Sequence, residues 1–165
     1  MIAIKRKNTG EVLHVHDGYN FAYADLRGLY LRGAHLVEVN LKGTKLGGAD
    51  LSGADLSGAD LTDADLTGSV LIDADLIGAD LIGADLVGAN LSGTVLRSAN
   101  LTDADLTRAD LTRADLTRAR LIGAKLIGTD LSHLVLKDAD LTDAIFTNKD
   151  PKMLNQGENN GRDKT

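Results

Sequence analysis

The sequence contains no cysteine and no tryptophan, and aromatic residues make up only 3% of it. The lack of cysteine excludes disulfides and thiolate metal sites. Irregular globular cores use aromatic side chains to fill gaps. A chain with 43% hydrophobic residues and so few aromatics must therefore build its core from small aliphatic side chains. These absences favour a single domain in which one small cross-section is repeated many times.

Long apolar runs are also missing. No stretch approaches the roughly 18 uninterrupted apolar residues that a membrane helix requires, because Asp or Asn recurs throughout the chain. Residues 1–7 carry positive charge, but no apolar run follows them, so they do not form a secretory signal. We therefore expect a soluble, cytoplasmic protein that does not bind membranes.

The net charge of −6 is unevenly distributed along the chain. Residues 1–48 carry a net charge of +3, with 7 basic and 4 acidic groups. Residues 49–105, here called the acidic belt, carry 11 acidic groups and 1 basic group, a net charge of −10. Residues 106–146 balance 6 basic against 6 acidic groups. The acidic belt thus separates a basic end from a neutral segment that contains arginine.

Leucine occupies every fifth position from Leu26 to Leu141, and Phe21 and Phe146 extend the register to 26 units. A small residue, usually Ala, lies two positions before most of these leucines, and the residue between them is usually Asp or another polar residue. Ala-Asp-Leu has the in-out-in alternation of a short strand. The other two residues of each unit supply a corner. A helix would spread the leucines over every face, because five residues advance it by about 140° beyond a full turn.

Short strands need partners, so each unit must pair with its copy in the next coil, about 4.8 Å away. Pro151, the single proline, lies beyond the last unit and leaves this ladder intact. The large residue of each unit should point to a shared axis. The core is therefore predicted to include Phe21, Leu26, Leu51, Leu81, Leu101, Leu141 and Phe146.

The string Ala-Asp-Leu-Ser-Gly-Ala-Asp-Leu-Ser-Gly at residues 49–58 resembles the A(D/N)LXX signature of the pentapeptide-repeat family. The resemblance covers roughly residues 19–147. It implies an all-β fold, a right-handed quadrilateral parallel β-helix with four pentapeptides per coil. On that geometry the 26 units form about 6.5 coils and a solenoid about 30 Å long.

The two ends depart from the repeat. Residues 1–18 are predicted to form a β-hairpin cap, with Ile2 and Ile4 on one strand, Leu13 and Val15 on the other, and a turn at residues 7–10. The solenoid occupies residues 19–147. Residues 148–165 form a polar C-terminal tail that we expect to be largely disordered.

No catalytic, cofactor-binding or metal-binding residue is predicted. Stacked carboxylates such as Asp55 and Asp75 are abundant, but acid–base catalysis also needs a concave, desolvated pocket. His14 and His16 share a strand face, a spacing that can bind zinc. Without a clear third ligand, solvated histidines are the preferred interpretation.

Two sets of outward residues are candidate interaction surfaces. Arg108, Arg113 and Arg118 occupy the same corner position on three consecutive sides and would form a basic collar. An anion or an acidic partner could dock there. Ion pairing with the interleaved Asp110 and Asp115 is the simpler interpretation, and we favour it.

The second set is apolar. One coil is encircled by Ile72, Ile77, Ile82 and Val87. On a narrow rod this band could be a protein-binding stripe. Strand propensity at an outward position is the competing and preferred explanation.

Together these features predict a non-enzymatic rigid rod that acts as a protein-interaction or structural module. Its expected partner is another protein, without direct nucleic-acid contact, and the rod itself is expected to be a monomer or weak dimer. The alternative comes from the family resemblance, since some members resemble a DNA duplex in charge and width. Such a protein would modulate a nucleic-acid enzyme such as DNA gyrase by competing for its basic DNA-binding saddle.

Overall fold

A computed structural model describes residues 1–18, 20–131 and 133–147. The predicted polar tail, residues 148–165, lies outside these ranges. Within them the chain forms strands and single bridges joined by turns, without a helix. The fold of the described residues is therefore all-β. None of their segments forms a helix long and apolar enough to cross a membrane.

The described residues form five strands. β1 (Ile2–Arg6) and β2 (Val12–His16) form an antiparallel hairpin, and β1 also pairs antiparallel with β3 (Ala34–His35). At the other end, β4 (Lys125–Leu126) pairs parallel with β5 (Ile145–Phe146). The first sheet thus has the order β2-β1-β3, which joins the hairpin to the first coil.

The intervening chain is held by parallel bridges between residues 20 positions apart, from Asp25 with Lys45 to Arg120 with Asp140. One coil therefore contains 20 residues, or four pentapeptides. All of these bridges fall on the residue directly before the repeated Leu, which is usually but not always polar. The period of five thus places equivalent residues in straight columns along the rod.

Backbone hydrogen bonding follows the same register, as the unit of residues 60–64 illustrates. The N–H of Asp60 donates to the preceding coil, at 3.1 Å, and the N–H groups of Leu61 and Asp63 donate to the following coil, at 2.7 and 2.9 Å. The N–H of Ala64 closes the corner on the carbonyl of Leu61, at 3.0 Å. Four of the five N–H groups of this unit thus have backbone acceptors, as buried amides require.

The leucines fill the interior. The leucine at every fifth position from Leu26 to Leu126 is at most 3% exposed, and Phe21 is 5% exposed. Each such burial contributes roughly 1.5–3 kcal/mol as an upper estimate. Leu141 and Phe146, also predicted in the core, are only partly buried. They lie in the last described coil, and no later coil among the described residues packs against them.

The small residues that accompany the leucines are buried as well, including the polar ones. Thr44, Ser69 and Thr94 are 0% exposed. Their hydroxyls donate to backbone carbonyls, at distances of 2.6–2.7 Å. These positions can therefore alternate between Ala and a small hydroxyl residue without leaving a buried donor unsatisfied.

The hairpin packs on the first coil through both side chains and backbone. Ile4 is 1% exposed, and Ile2 and Leu13 pack against the leucine core. The Lys7 N–H donates to the carbonyl of Gly33 at 2.8 Å, next to the pairing of β1 with β3. The edge of the first coil at this point is thereby paired rather than open.

An ion pair ties the hairpin to the second coil. Lys7 Nζ lies 2.6 Å from Asp55 Oδ2, and Asp55 is only 8% exposed. Burial raises the pKa of Asp55, but hydrogen bonds from Lys7 and Ser57 outweigh it and hold that pKa below its ordinary value. The same contact raises the pKa of Lys7.

The first prediction concerns the leucine column. Leu81→Ala should lower the free energy of unfolding by about 2–5 kcal/mol, because it leaves a cavity in a site that is fully enclosed. Leu141→Ala, the same change in a partly buried site, should have a clearly smaller effect. Urea unfolding followed by circular dichroism measures both. Equal losses would contradict the difference in enclosure.

The second prediction concerns Lys7. Lys7→Met should destabilise the protein near neutral pH, whereas Lys5→Met, in the adjoining strand β1 and without an ion pair among the described residues, should not. Because the pKa of Asp55 is lowered, the contribution is present above the unfolded value of about 3.9 and is lost as the pH falls below it. Because the pKa of Lys7 is raised, the contribution is also lost as the pH rises through that pKa. The measurement is the melting temperature of both variants across this pH range. Equal melting temperatures for Lys7→Met and Lys5→Met at every pH would refute a stabilising contact between Lys7 and Asp55.

Candidate interaction surfaces

The corners of the coils carry the outward side chains, and Asp or Asn shapes them. In the unit of residues 60–64, the fifth N–H, that of Thr62, donates to Asp60 Oδ1 at 3.0 Å. The Asp60 side chain thus accepts a hydrogen bond from the one N–H of this unit that has no backbone acceptor, as in an Asx turn. The same bond is accepted by Asn20, Asp25, Asn40, Asp50, Asp55, Asp65, Asp75, Asp80, Asp85, Asn90, Asn100, Asp105, Asp110, Asp115 and Asp140.

These hydrogen bonds also affect the carboxyl groups. Hydrogen bonding from Thr117 lowers the pKa of Asp115 despite burial, and Arg97, 2.9 Å away, lowers it further. Burial raises the pKa of Asp105, but hydrogen bonds from Thr107 and from Lys125 outweigh it, so that pKa also lies below its ordinary value. Such carboxylates stay charged at neutral pH while being engaged by the rod itself.

The last corner residue of each unit has a left-handed backbone. Most of these positions are glycine, for example Gly88 at φ 66°, as the closing turn requires. The non-glycine members include Asp63, Asp73 and Asp103, at φ 57°, 55° and 59°. Asp tolerates this region better than most residues.

All 11 acidic groups of the acidic belt are thereby accounted for structurally. Eight accept the Asx-turn hydrogen bond, and the other three, Asp63, Asp73 and Asp103, occupy left-handed corners. The corners thus account for where these side chains lie, whereas Asn90 and Asn100 accept the same bond without a charge.

Arg108, Arg113 and Arg118, here called the arginine collar, also occupy left-handed corners, at φ 59°, 62° and 59°. Glycine holds the corner of Arg108 in both neighbouring coils, at Gly88 and Gly128, whereas the neighbouring corners of Arg113 and Arg118 include His133, Ser98 and Asp138. A non-glycine residue in this conformation costs about 1–2 kcal/mol. The collar thus places three long, exposed side chains where the backbone disfavours them.

The prediction that the arginine collar pairs with the interleaved carboxylates is wrong. Within residues 1–18, 20–131 and 133–147, none of the three arginines makes an ion pair. Asp115 pairs with Arg97, and Asp110 accepts the N–H of Thr112 at 2.9 Å. The Asx turns hold these carboxylates at their own corners.

The apolar band is unevenly exposed. Ile72 and Ile77 are 36% and 41% exposed, whereas Ile82 and Val87 are half-buried. A shallow groove beside Ile72 is lined by Arg32, Ser52, Gly53, Ile72 and Asp73. The outermost part of the band is therefore the pair Ile72 and Ile77.

The two histidines of β2 do not assemble a metal site. The ring of His16 lies 5.7 Å from that of Phe21 at a tilt of 39°, in contact with the core. No group of three or more potential metal ligands occurs among the residues that the structure describes.

Comparison with known families then identifies the repeat. The model for pentapeptide repeats (8 copies) matches residues 20–53, 34–73, 74–113 and 114–148, most of the chain. The chain belongs to the pentapeptide-repeat family. Among curated proteins, nothing matches it.

Solved pentapeptide-repeat structures share the fold. HetL, involved in heterocyst differentiation regulation in the cyanobacterium Nostoc sp. strain PCC 7120, is 36% identical with a TM-score of 0.52, over 78% of this chain and 68% of HetL. A thylakoid-lumen protein of Arabidopsis thaliana is 32% identical with a TM-score of 0.51, over 70% of this chain and 77% of the other. The fluoroquinolone resistance protein QnrB1 has a TM-score of 0.60 but only 21% identity, over 70% of this chain and 61% of QnrB1. That last likeness concerns the fold alone.

The third prediction separates the charge of Asp80 from its hydrogen bond to the Ile82 N–H. Asp80→Ala should lower the free energy of unfolding by about 1 kcal/mol, because a backbone donor of the pentapeptide repeat loses its acceptor. Asp80→Asn keeps the acceptor and should have little effect, as at Asn100 in the same column. Urea unfolding is the measurement. Equal losses for both variants would show that the charge, and not the Asx turn, matters.

Proposed function

We propose that this pentapeptide-repeat protein is a non-enzymatic rigid rod, a right-handed quadrilateral β-helix of about 6.5 coils, that binds a protein partner through its outward side chains. One observation carries the proposal. Bridges between residues 20 positions apart run along the solenoid and fix the outward residues in straight columns. Such a surface is preorganised, which lowers the entropy lost on binding.

The chemistry of the outward groups supports binding rather than catalysis. Acid–base catalysis uses a carboxylate that is free to exchange a proton with a substrate. Here the carboxylates of the belt are engaged, since Asp50, Asp60 and Asp80 each accept the N–H of their own corner. Their role is to hold the corner.

Within this proposal the pair Ile72 and Ile77 is a contact point. Both side chains are exposed and lie on consecutive sides of one coil. The equivalent positions one coil later are Ser92 and Arg97, so the column does not require an apolar residue. Strand propensity alone therefore does not account for isoleucine at both places.

The alternative is a DNA-mimicking modulator of an enzyme such as gyrase, and the net charge of −10 in the acidic belt favours it. Two observations weigh against it. All 11 acidic groups of the belt lie at Asx turns or left-handed corners, so the repeat accounts for their positions. The likeness to QnrB1, at 21% identity, extends to the fold and no further. We therefore prefer the interaction rod.

The fourth prediction tests the contact point. Ile72→Lys combined with Ile77→Lys should abolish capture of the protein's specific partner from the native cell while leaving the circular dichroism spectrum unchanged, because a charge then occupies an apolar contact. Ser92→Lys, in the column of Ile72 one coil later, is the matched control and should retain the partner. The measurement is quantitative mass spectrometry of proteins captured by each variant.

Identical captured sets for the wild type and the double variant would refute the role of Ile72 and Ile77. Capture of nothing beyond background by the wild-type rod would refute the interaction role itself.

A further inference from the structure

The arginine collar differs from several other basic side chains of the rod, which form ion pairs with carboxylates. Arg27 lies 2.6 Å from Asp25, Arg97 lies 2.9 Å from Asp115, and Lys125 lies 3.1 Å from Asp105. The three collar arginines are exposed and make no ion pair in the part of the chain that the structure describes. Their guanidinium groups are therefore available to another molecule.

The carboxylates nearest in sequence do not compete for them. Asp115 is held by Arg97 and by Thr117, and Asp110 is held by the N–H of Thr112. Asp138 occupies the corner column of Arg118 one coil later and forms no ion pair with it. An incoming carboxylate would thus meet little internal competition.

The collar is also distinguished by its regular placement and by the chemistry of its side chains. Three consecutive corners of one coil carry arginine at positive φ, where glycine is free of strain. Nine further non-glycine residues of the described chain, Tyr23 and Glu38 among them, share this conformation, so the repeated arginine and not the backbone distinguishes these corners. Arginine also offers a planar fork of donors that matches a carboxylate in a bidentate pair.

We infer that the arginine collar, Arg108, Arg113 and Arg118, is a binding site for an acidic polypeptide segment of a protein partner. The segment runs around the coil from corner to corner, and its carboxylates pair with the guanidinium groups. This inference rests on the proposed function as an interaction rod and gives that function a second contact of defined chemistry.

The distribution of charge favours an acidic polypeptide over a nucleic acid. The acidic belt ends at Asp105, directly before the collar. A nucleic acid carries a charge about every 3.4 Å along each strand and would extend over that belt. A short acidic segment that follows the coil meets the three arginines and avoids the repulsion. Charge complementarity of this local kind selects the partner class.

The fifth prediction uses a fluorescein-labelled peptide of about ten glutamates as the probe, with fluorescence anisotropy on the full chain at low and at physiological salt. The variant Arg108→Gly, Arg113→Gly and Arg118→Gly should bind the peptide at least ~10-fold more weakly. Glycine suits positive φ, so the variant should keep its thermal melting temperature or raise it. The matched control Lys5→Gln, Lys42→Gln and Lys45→Gln removes the same charge elsewhere and should change the Kd less than about twofold.

A labelled single-stranded DNA of similar length is the counter-probe and should bind more weakly than the peptide. Tighter binding of the DNA would assign the collar to nucleic acid and overturn the inference. Equal weakening by both triple variants, or no peptide binding by the wild type, would overturn it as well. None of these outcomes involves Ile72 and Ile77, so failure of the collar is distinguishable from failure of the proposed interaction role.

Discussion

Each coil can lie against the next only if residues 20 positions apart stay in register as bridge partners along the solenoid. This pairing tolerates no inserted residue, because a shift of one position would turn the leucine column toward solvent. The period of five, uninterrupted from Phe21 to Phe146, reflects this constraint in the sequence. Burial of the leucines and the fixed outward columns both follow from it.

The fixed register between coils also gives different side chains different structural roles. Leucine and its small neighbour fill the interior, and the corner residues satisfy the backbone. In the unit of residues 60–64, four N–H groups find backbone acceptors and the fifth finds Asp60. The proposed contacts, Ile72 with Ile77 and the arginine collar, use outward positions that neither fill the interior nor accept a backbone hydrogen bond.

Much of the fold could be predicted from the sequence, because a strict period fixes which residues share a face. The inward position of Leu51, Leu81 and Leu101 follows from spacing alone. The partial exposure of Leu141 and Phe146 does not, since periodicity cannot say how well the last coil is covered.

The candidate surfaces were less predictable. An Asp between two inward residues indicates an outward side chain, but not that its Oδ1 turns back to the N–H two residues later. The regular recurrence of Asp or Asn two positions before Ser or Thr was the available signal. Neglect of these turns led to the wrong prediction for Arg108, Arg113 and Arg118. The contact of Lys7 with Asp55 spans 48 positions and leaves no local pattern at all.

The Asx turns have one further consequence. Asp and Asn present the same oxygen to the corner, as Asp80 and Asn100 do in one column. The isoelectric point of the rod can therefore be changed over a wide range by carboxylate–amide exchange, without altering the ladder or the core. In this architecture the surface charge can change without a change of fold, so rods of very different net charge can share one backbone structure.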